Sequence, residues 1–319
     1  MFQHETVLKK EAVEGLAVRP DGIYVDCTVG GAGHSWEIVS RLGEGGLLVG
    51  LDQDDAALEH AERRLAPFKD RVRLVKSNFR HLREALLEAG VPLVNGEPLV
   101  DGILYDLGVS SPQFDESERG FSYQRDARLD MRMDRTSPLT AYRIVNEWEE
   151  ERLARILQEY GEEKFARRIA RHIVRRRGEK PIETTAELAD IVKEAIPAAA
   201  RRTGPHPARR SFQAIRIAVN DELAALEQSL EQAVHCLATG GRICVISFHS
   251  LEDRITKHFF AKFVETCTCP PEFPVCVCRK RGLLNLVTRK PITPGEAELA
   301  ANPRARSAKL RIAERVRSE

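Results

Sequence analysis

Apolar runs that close on an aspartate recur through the first third of the chain, and they leave few folds open. Gly22-Ile-Tyr-Val-Asp26 is followed by a glycine-rich turn, Gly30-Gly31-Ala32-Gly33, and by a helical pattern through Ile38, Val39 and Leu42 that stops at Gly43. Leu47-Leu-Val-Gly-Leu51 closes on Asp52, and a charged amphipathic helix runs from about Ala56 to Leu65. Val72-Arg-Leu-Val75 and Gly102-Ile-Leu-Tyr105 supply a third and a fourth strand, the fourth ending at Asp106. Strands alternating with helices in this way build a parallel sheet with helices on both faces.

The alternation stops between Pro112 and Arg210, where helical periodicity and loops replace strands. It resumes with a long helix whose apolar face is Val219, Leu223, Leu226, Leu230, Val234 and Leu237, ended by Gly240-Gly241. A fifth strand, Arg242 to Ser247, a helix from Leu251 to about Val264 and a last strand, Ala308 to Ile312, complete the pattern. The expected architecture is an α/β domain from residues 1–111 and 211–319, interrupted by a mostly helical insertion, 112–210.

Bulk properties exclude several classes. Lys and Arg number 49 against 48 Asp and Glu, so any nucleic-acid surface must arise from local clustering. An odd count of 7 Cys, with no basic and apolar leader after Met1, argues against a disulfide framework and for a reducing, cytoplasmic setting. No apolar stretch is long enough to span a bilayer.

Ligands of doubly wound sheets bind outside the carboxyl ends of the strands. Those ends carry Asp26 and its glycine turn, Asp52, Ser77-Asn78-Phe79 and Asp106. A dinucleotide site needs a third glycine where this chain has Trp36, which argues against NAD. Asp52 has the position of an acid that holds ribose hydroxyls. The turn after the fourth strand, Asp106-Leu-Gly-Val-Ser-Ser-Pro-Gln-Phe114, delivers an acid, a flexible glycine, hydroxyls, a proline and an aromatic. Methyltransferases acting on exocyclic amines of bases use a similar turn. The cytosine amine is a poor nucleophile because its lone pair is delocalised into the ring. Acceptors that hold its hydrogens favour a pyramidal nitrogen, and an aromatic stacks on the base. Ser110, Ser111 and Pro112 are therefore expected to frame an amine, with Phe114 near the base. A helix N-cap at Ser-Ser-Pro is the competing reading.

Over nearly its whole length the chain resembles the bacterial small-subunit ribosomal RNA cytosine-N4 methyltransferase family (RsmH, formerly MraW). The stretches that carry the resemblance include His4-Glu-Thr-Val-Leu8, Gly33-His-Ser35, Asp106-Leu-Gly-Val-Ser-Ser-Pro-Gln113, Leu129-Asp-Met-Arg-Met-Asp134, Phe212-Gln-Ala-Ile-Arg216, Ser247-Phe-His-Ser-Leu-Glu-Asp-Arg254 and Asn302-Pro-Arg-Ala-Arg-Ser307. The resemblance implies a class I, Rossmann-like methyltransferase sheet. It implies S-adenosylmethionine as cofactor, held by Ala32, Gly33, His34, Asp52, Phe79, Asp106 and Gln113. Its implied substrate is one cytidine in the decoding centre of the small ribosomal subunit, with no membrane and no obligate protein partner. A DNA or other amino-group methyltransferase, and an RNA-binding assembly factor with secondary catalysis, are the alternatives.

Within the insertion, Lys164 to Arg177 reads as a helix with Phe165, Ile169 and Ile173 on one face and Lys164, Arg168, Arg171 and Arg175 opposite, a stripe suited to an RNA backbone or to pairing with nearby acids. Arg201, Arg202, His206, Arg209 and Arg210 form a second basic cluster. Arg209, Arg210 and Arg132 are expected to contact substrate, and His249 is a minor candidate. Cys267, Cys269, Cys276 and Cys278 form two C-x-C pairs. That spacing departs from the usual zinc knuckle, so a zinc clip stands as an alternative to free thiols and no metal is expected. Cys27, Cys236 and Cys244 are expected in the core.

Overall fold

The computed structural model describes residues 6–110, 113–114, 116–202, 204–264, 269 and 282–316. The chain separates into two compact units, one running to Gly108 and resuming at Leu223, the other from Val109 to Glu222. The sequence pattern predicts an insertion that ends at Arg210. The helix that begins at Arg209 instead belongs to the helical unit, because it buries Phe212, Ala214, Ile215 and Val219 in that unit's core.

The first unit is built on a seven-stranded sheet of order β3-β2-β1-β6-β7-β9-β8. Its strands are β1 (Ile23–Asp26), β2 (Leu47–Asp52), β3 (Val72–Lys76), β6 (Val100–Asp106), β7 (Leu237–Ser247), β8 (Leu284–Leu286) and β9 (Lys309–Arg315). A small hairpin, β4 (Leu93–Val94) with β5 (Glu97–Pro98), stands apart. β1 pairs in parallel with β2 on one side and β6 on the other. β9 runs antiparallel to β7 and β8. The chain therefore winds outward from β1 to β3, then returns to β1's other side. This reversal of winding direction opens a crevice at the carboxyl ends of β1 and β6.

Two helical layers cover this sheet because each strand alternates its apolar side chains. Tyr24, Leu48, Leu104, Cys244 and Leu310 pack with α1 (Lys9–Leu16), α2 (Gly33–Ser40) and α3 (Asp55–Leu65). Val25, Val49, Ile103, Tyr105 and Val245 pack with α4 (Leu82–Glu88) and with two helices that follow the helical unit. The strand-closing acids thus come to lie along one edge, outside both cores. Cys27, Cys236 and Cys244 are buried, as expected.

The helical unit contains α5 (Ala141–Glu147), α6 (Glu150–Glu159), α7 (Ala166–Glu179), α8 (Thr185–Ala195), α9 (Ala198–Arg201) and α10 (Arg209–Asn220). Ile144, Leu153, Leu157, Ile169, Ile173, Leu188, Val192 and Ile215 fill its core. Thr184 and Glu187 close a reciprocal capping box at the start of α8, which satisfies two amides that a helix end leaves open.

One expected helix is two. Asp221 takes a left-handed conformation, φ 49°, and ends α10, so Val219 faces the helical core. The next helix, α11, spans Glu222–Cys236, and α12 spans Ser250–Val264. Leu237 opens β7 rather than closing a helix, and Gly240 and Gly241 lie within that strand. Ile103 is fully buried between β1 and β7. Truncation in Ile103→Ala is expected to lower stability by about 2–5 kcal/mol, read from the denaturant midpoint.

Candidate functional site

β1 ends at Asp26, which is buried. The Ser35 hydroxyl donates to its Oδ2 at 2.6 Å and the Thr28 amide to its Oδ1 at 3.1 Å. Burial pushes this carboxyl above its ordinary value, and those two donors hold it back. Thr28 also ties β1 to β6, because its hydroxyl accepts from the Asp106 amide at 2.7 Å.

The turn after β1 brings the backbone close to where a ligand would sit. Gly30 and Ala32 both have positive φ, 47° and 55°. An alanine in the left-handed region costs more than a glycine there. A side chain at Gly31 would project into open space. Gly33 has no such room, since a Cβ on it would collide with Thr6 Oγ1. The Gly30 amide donates to Asp52 Oδ2 at 2.9 Å, and the Asp54 amide to Oδ1 at 3.0 Å. The glycine turn and the end of β2 are thereby locked together. Burial raises the Asp52 carboxyl to about 6 in spite of these bonds.

His34 opens the second turn of the site. Its Nε2 lies 3.0 Å from the Val7 carbonyl, and its Nδ1 lies 3.5 Å from Asp106 Oδ2. Burial pushes the imidazole down to about 4, so it is neutral at physiological pH. With its proton on Nε2 and shared with Val7, the ring turns an acceptor toward Asp106. The Asp106 carboxyl is raised well above its ordinary value, first by burial and then by the charges of Asp26 and Glu252. Its Oδ1 is buried and, among the described residues, has no hydrogen-bond partner. A buried acceptor left unmade costs free energy that a ligand donor would recover.

Phe79, one residue past the Asn78 cap at the end of β3, sets its ring edge-on to Tyr105 with centroids 5.7 Å apart. Tyr105 in turn shares a buried hydrogen bond with Ser229 at 2.7 Å. Ala32, Gly33, His34, Asp52, Phe79 and Asp106 are therefore all delivered to the carboxyl edge of one sheet, with no metal-type cluster among these six.

Of the remaining expected residues, Ser110, Gln113, Phe114, Arg132, Arg209 and Arg210 lie in the helical unit. The Ser110 amide donates to Gln113 Oε1 at 3.1 Å, and Gln113 is buried. Phe114 packs against the helical core. Ser111 and Pro112 lie outside the described residues, as do Cys267, Cys276 and Cys278. Arg132 holds Asp130 with Nε and Nη2 at 2.9 and 2.8 Å and donates to the carbonyls of Arg135 and Ser137. Its guanidinium shapes the turn that follows it. Arg209 is exposed, and Arg210 donates to the Glu162 carbonyl at 3.1 Å.

His249 Nε2 lies 3.0 Å from Glu252 Oε1, while Glu252 Oε2 accepts from the Phe248 amide at the start of α12. Thr28, Ser35 and Glu252 were absent from the sequence-derived set. Hydroxyls and acids near a turn are common, and only the fold brings these three against Asp26 and Asp106.

A family model described as the MraW methylase family matches residues 1–316. A protein of Paenibacillus sp. (strain JDR-2) named ribosomal RNA small subunit methyltransferase H is 68% identical over 316 residues, covering 99% of this chain and 100% of that protein. Proteins of the same name from Brevibacillus brevis and Symbiobacterium thermophilum are each 60% identical, over 315 and 310 residues. These matches cover 99% and 97% of this chain, and 98% and 96% of those proteins.

Adding one methyl in Gly33→Ala is expected to push Thr6 out of place and lower stability by about 1–3 kcal/mol, measured by chemical denaturation. Unchanged stability would show that the segment around Thr6 does not hold the turn.

Proposed function

The chain belongs to the MraW methylase family, and on that premise we propose that it methylates the exocyclic N4 of one cytidine in the decoding centre of small-subunit ribosomal RNA, with S-adenosylmethionine as methyl donor. The observation that carries the donor assignment is the unmade acceptor of Asp106, buried at the switch point beside a close-approach glycine turn. The RNA assignment draws on the names of relatives at 60–68% identity.

Each residue has a role suited to its chemistry. Asp52 accepts from ribose hydroxyls, as an acid at the end of a second strand does. Ala32 and Gly33 offer backbone at close range, and His34 orients the Asp106 carboxyl. Asp106 Oδ1 receives a ligand donor, and Phe79 and Gln113 complete the donor's contacts. When bound, S-adenosylmethionine supplies a methyl group activated by its sulfonium. Ser110, Ser111 and Pro112 hold the hydrogens of the base amine and Phe114 lies along the base. Arg132 helps shape the cytidine pocket, and Arg209 and Arg210 meet the RNA backbone. Positioning and fixed dipoles supply most of the acceleration in such a reaction.

Mass spectrometry of small-subunit RNA from cells with and without the gene tests the substrate. N4-methylation of a decoding-centre cytidine should disappear with the gene. Loss of methyl from another site, or from DNA, would overturn the assignment. The purified chain also has a predictable pH response. Ribose hydroxyls donate to the ionised form of Asp52, whose free value is about 6. Binding then favours loss of that proton, so affinity for S-adenosylhomocysteine should rise by up to roughly tenfold per pH unit from pH ~5 to ~6, and level off above. Calorimetric titration should show that Asp52→Asn loses this step. A wild-type affinity that strengthens on acidification would contradict the role given to Asp52.

A further inference from the structure

From the face that α7 turns outward we infer that Arg168, Arg171 and Arg175, continued by Lys164 and Arg210, form a band that docks the phosphate backbone of the RNA substrate. The inference rests on the ribosomal RNA reading above and names the surface that would serve it.

The burial pattern of α7 fixes which face is free. Ala166, Ile169, Ala170 and Ile173 are buried, while Arg168, Arg171 and Arg175 are exposed on the opposite side. Successive members lie three and four residues apart and span about 10 Å along the helix axis. Arg176 and Arg177, which follow the stripe, are already engaged, Arg176 with Glu194 at 3.1 Å and Arg177 with the Val145 carbonyl at 2.8 Å. Arg168 and Arg175, among the described residues, have no carboxylate within 4.0 Å, and Arg171 meets Glu150 only at 3.8 Å in an exposed pair. Their field is felt locally, since burial and then Arg175 and Arg168 push His172 below its ordinary value.

Chain neighbours extend the stripe. Arg210, at the start of α10, donates to the Glu162 carbonyl, two residues before exposed Lys164. Two basic clusters some forty residues apart in sequence thus become one surface feature of the helical unit. A protein partner would need apolar or aromatic anchors at the centre of such a surface. The exposed large hydrophobics among the described residues include none on α7. Guanidiniums repeating along an axis without apolar anchors suit a chain of phosphates, where affinity comes from counterion release.

The test compares the full chain with Arg168→Gln/Arg171→Gln/Arg175→Gln, a change that keeps helix propensity. Affinity for a small-subunit RNA transcript is measured by anisotropy across a range of potassium chloride, with polyglutamate as a protein-like polyanion. The variant should bind RNA about tenfold or more weakly at low salt, and the slope of log K against log salt should fall by about 2, at roughly 0.7 per single-strand phosphate contact. Its affinity for S-adenosylhomocysteine should be unchanged. Arg143→Gln, which removes a charge already paired with Glu147, should keep the wild-type slope. An unchanged slope in the triple variant overturns the proposal while leaving the methylation reading intact. So does loss of polyglutamate binding with RNA binding retained. Wild-type protein that neither binds nor methylates the transcript overturns the substrate reading, and the band falls with it.

Discussion

The reversal of winding at β1 is the constraint on which the rest depends. Because β2 and β6 leave β1 on opposite sides, no crossover helix covers the carboxyl ends of β1 and β6. Two carboxylates, Asp26 and Asp106, are brought there with a threonine between them. Burying acids beside one another is costly, and the protein offsets only part of the cost. Asp26 receives a hydroxyl and an amide, whereas one oxygen of Asp106 is unmatched among the described residues. Unmade hydrogen bonds of this kind persist where function needs them, and perturbed carboxyls in a cleft mark functional sites.

Local backbone choices hold that arrangement in place. Left-handed conformations at Gly30 and Ala32 turn the chain sharply enough for the Gly30 amide to reach Asp52. The close approach of Thr6 at Gly33 then fits the start of α2 to the N-terminal segment. The same segment supplies the Val7 carbonyl that sets the His34 tautomer. Thus the acceptor His34 turns toward Asp106 depends on residues far from it in sequence. The helical unit is organised on other terms, around its own apolar cluster and a capped α8.

Much of this was legible in the sequence because strand runs, closing acids and glycine turns are local signals. β1, β2, β3 and β6 lie where period and punctuation put them, with aspartates closing β1, β2 and β6. Other features depend on three-dimensional context. The break at Asp221 is invisible because Val219, Leu223 and Leu226 continue a helical period across it, although Val219 and Leu226 serve two different cores. Gly240 and Gly241 read as a helix stop, but they fall within β7, at the irregularity in its pairing with β6. Thr28 and Ser35 gain meaning only from the contact with Asp26 and Asp106. The basic residues of α7 were apparent as a stripe. Which of them are neutralised, as Arg176 is and Arg168 is not, follows from where α6 and α8 present their acids.

The claim at the centre is that Asp106 Oδ1 is left unmatched so that a bound methyl donor can fill it. A crystal structure of the chain with S-adenosylhomocysteine tests this most directly. The account predicts a ligand donor atom within hydrogen-bond distance of Asp106 Oδ1 and ribose hydroxyls on Asp52. Ligand density elsewhere, or a side chain of the protein itself occupying that acceptor in the complex, would contradict it.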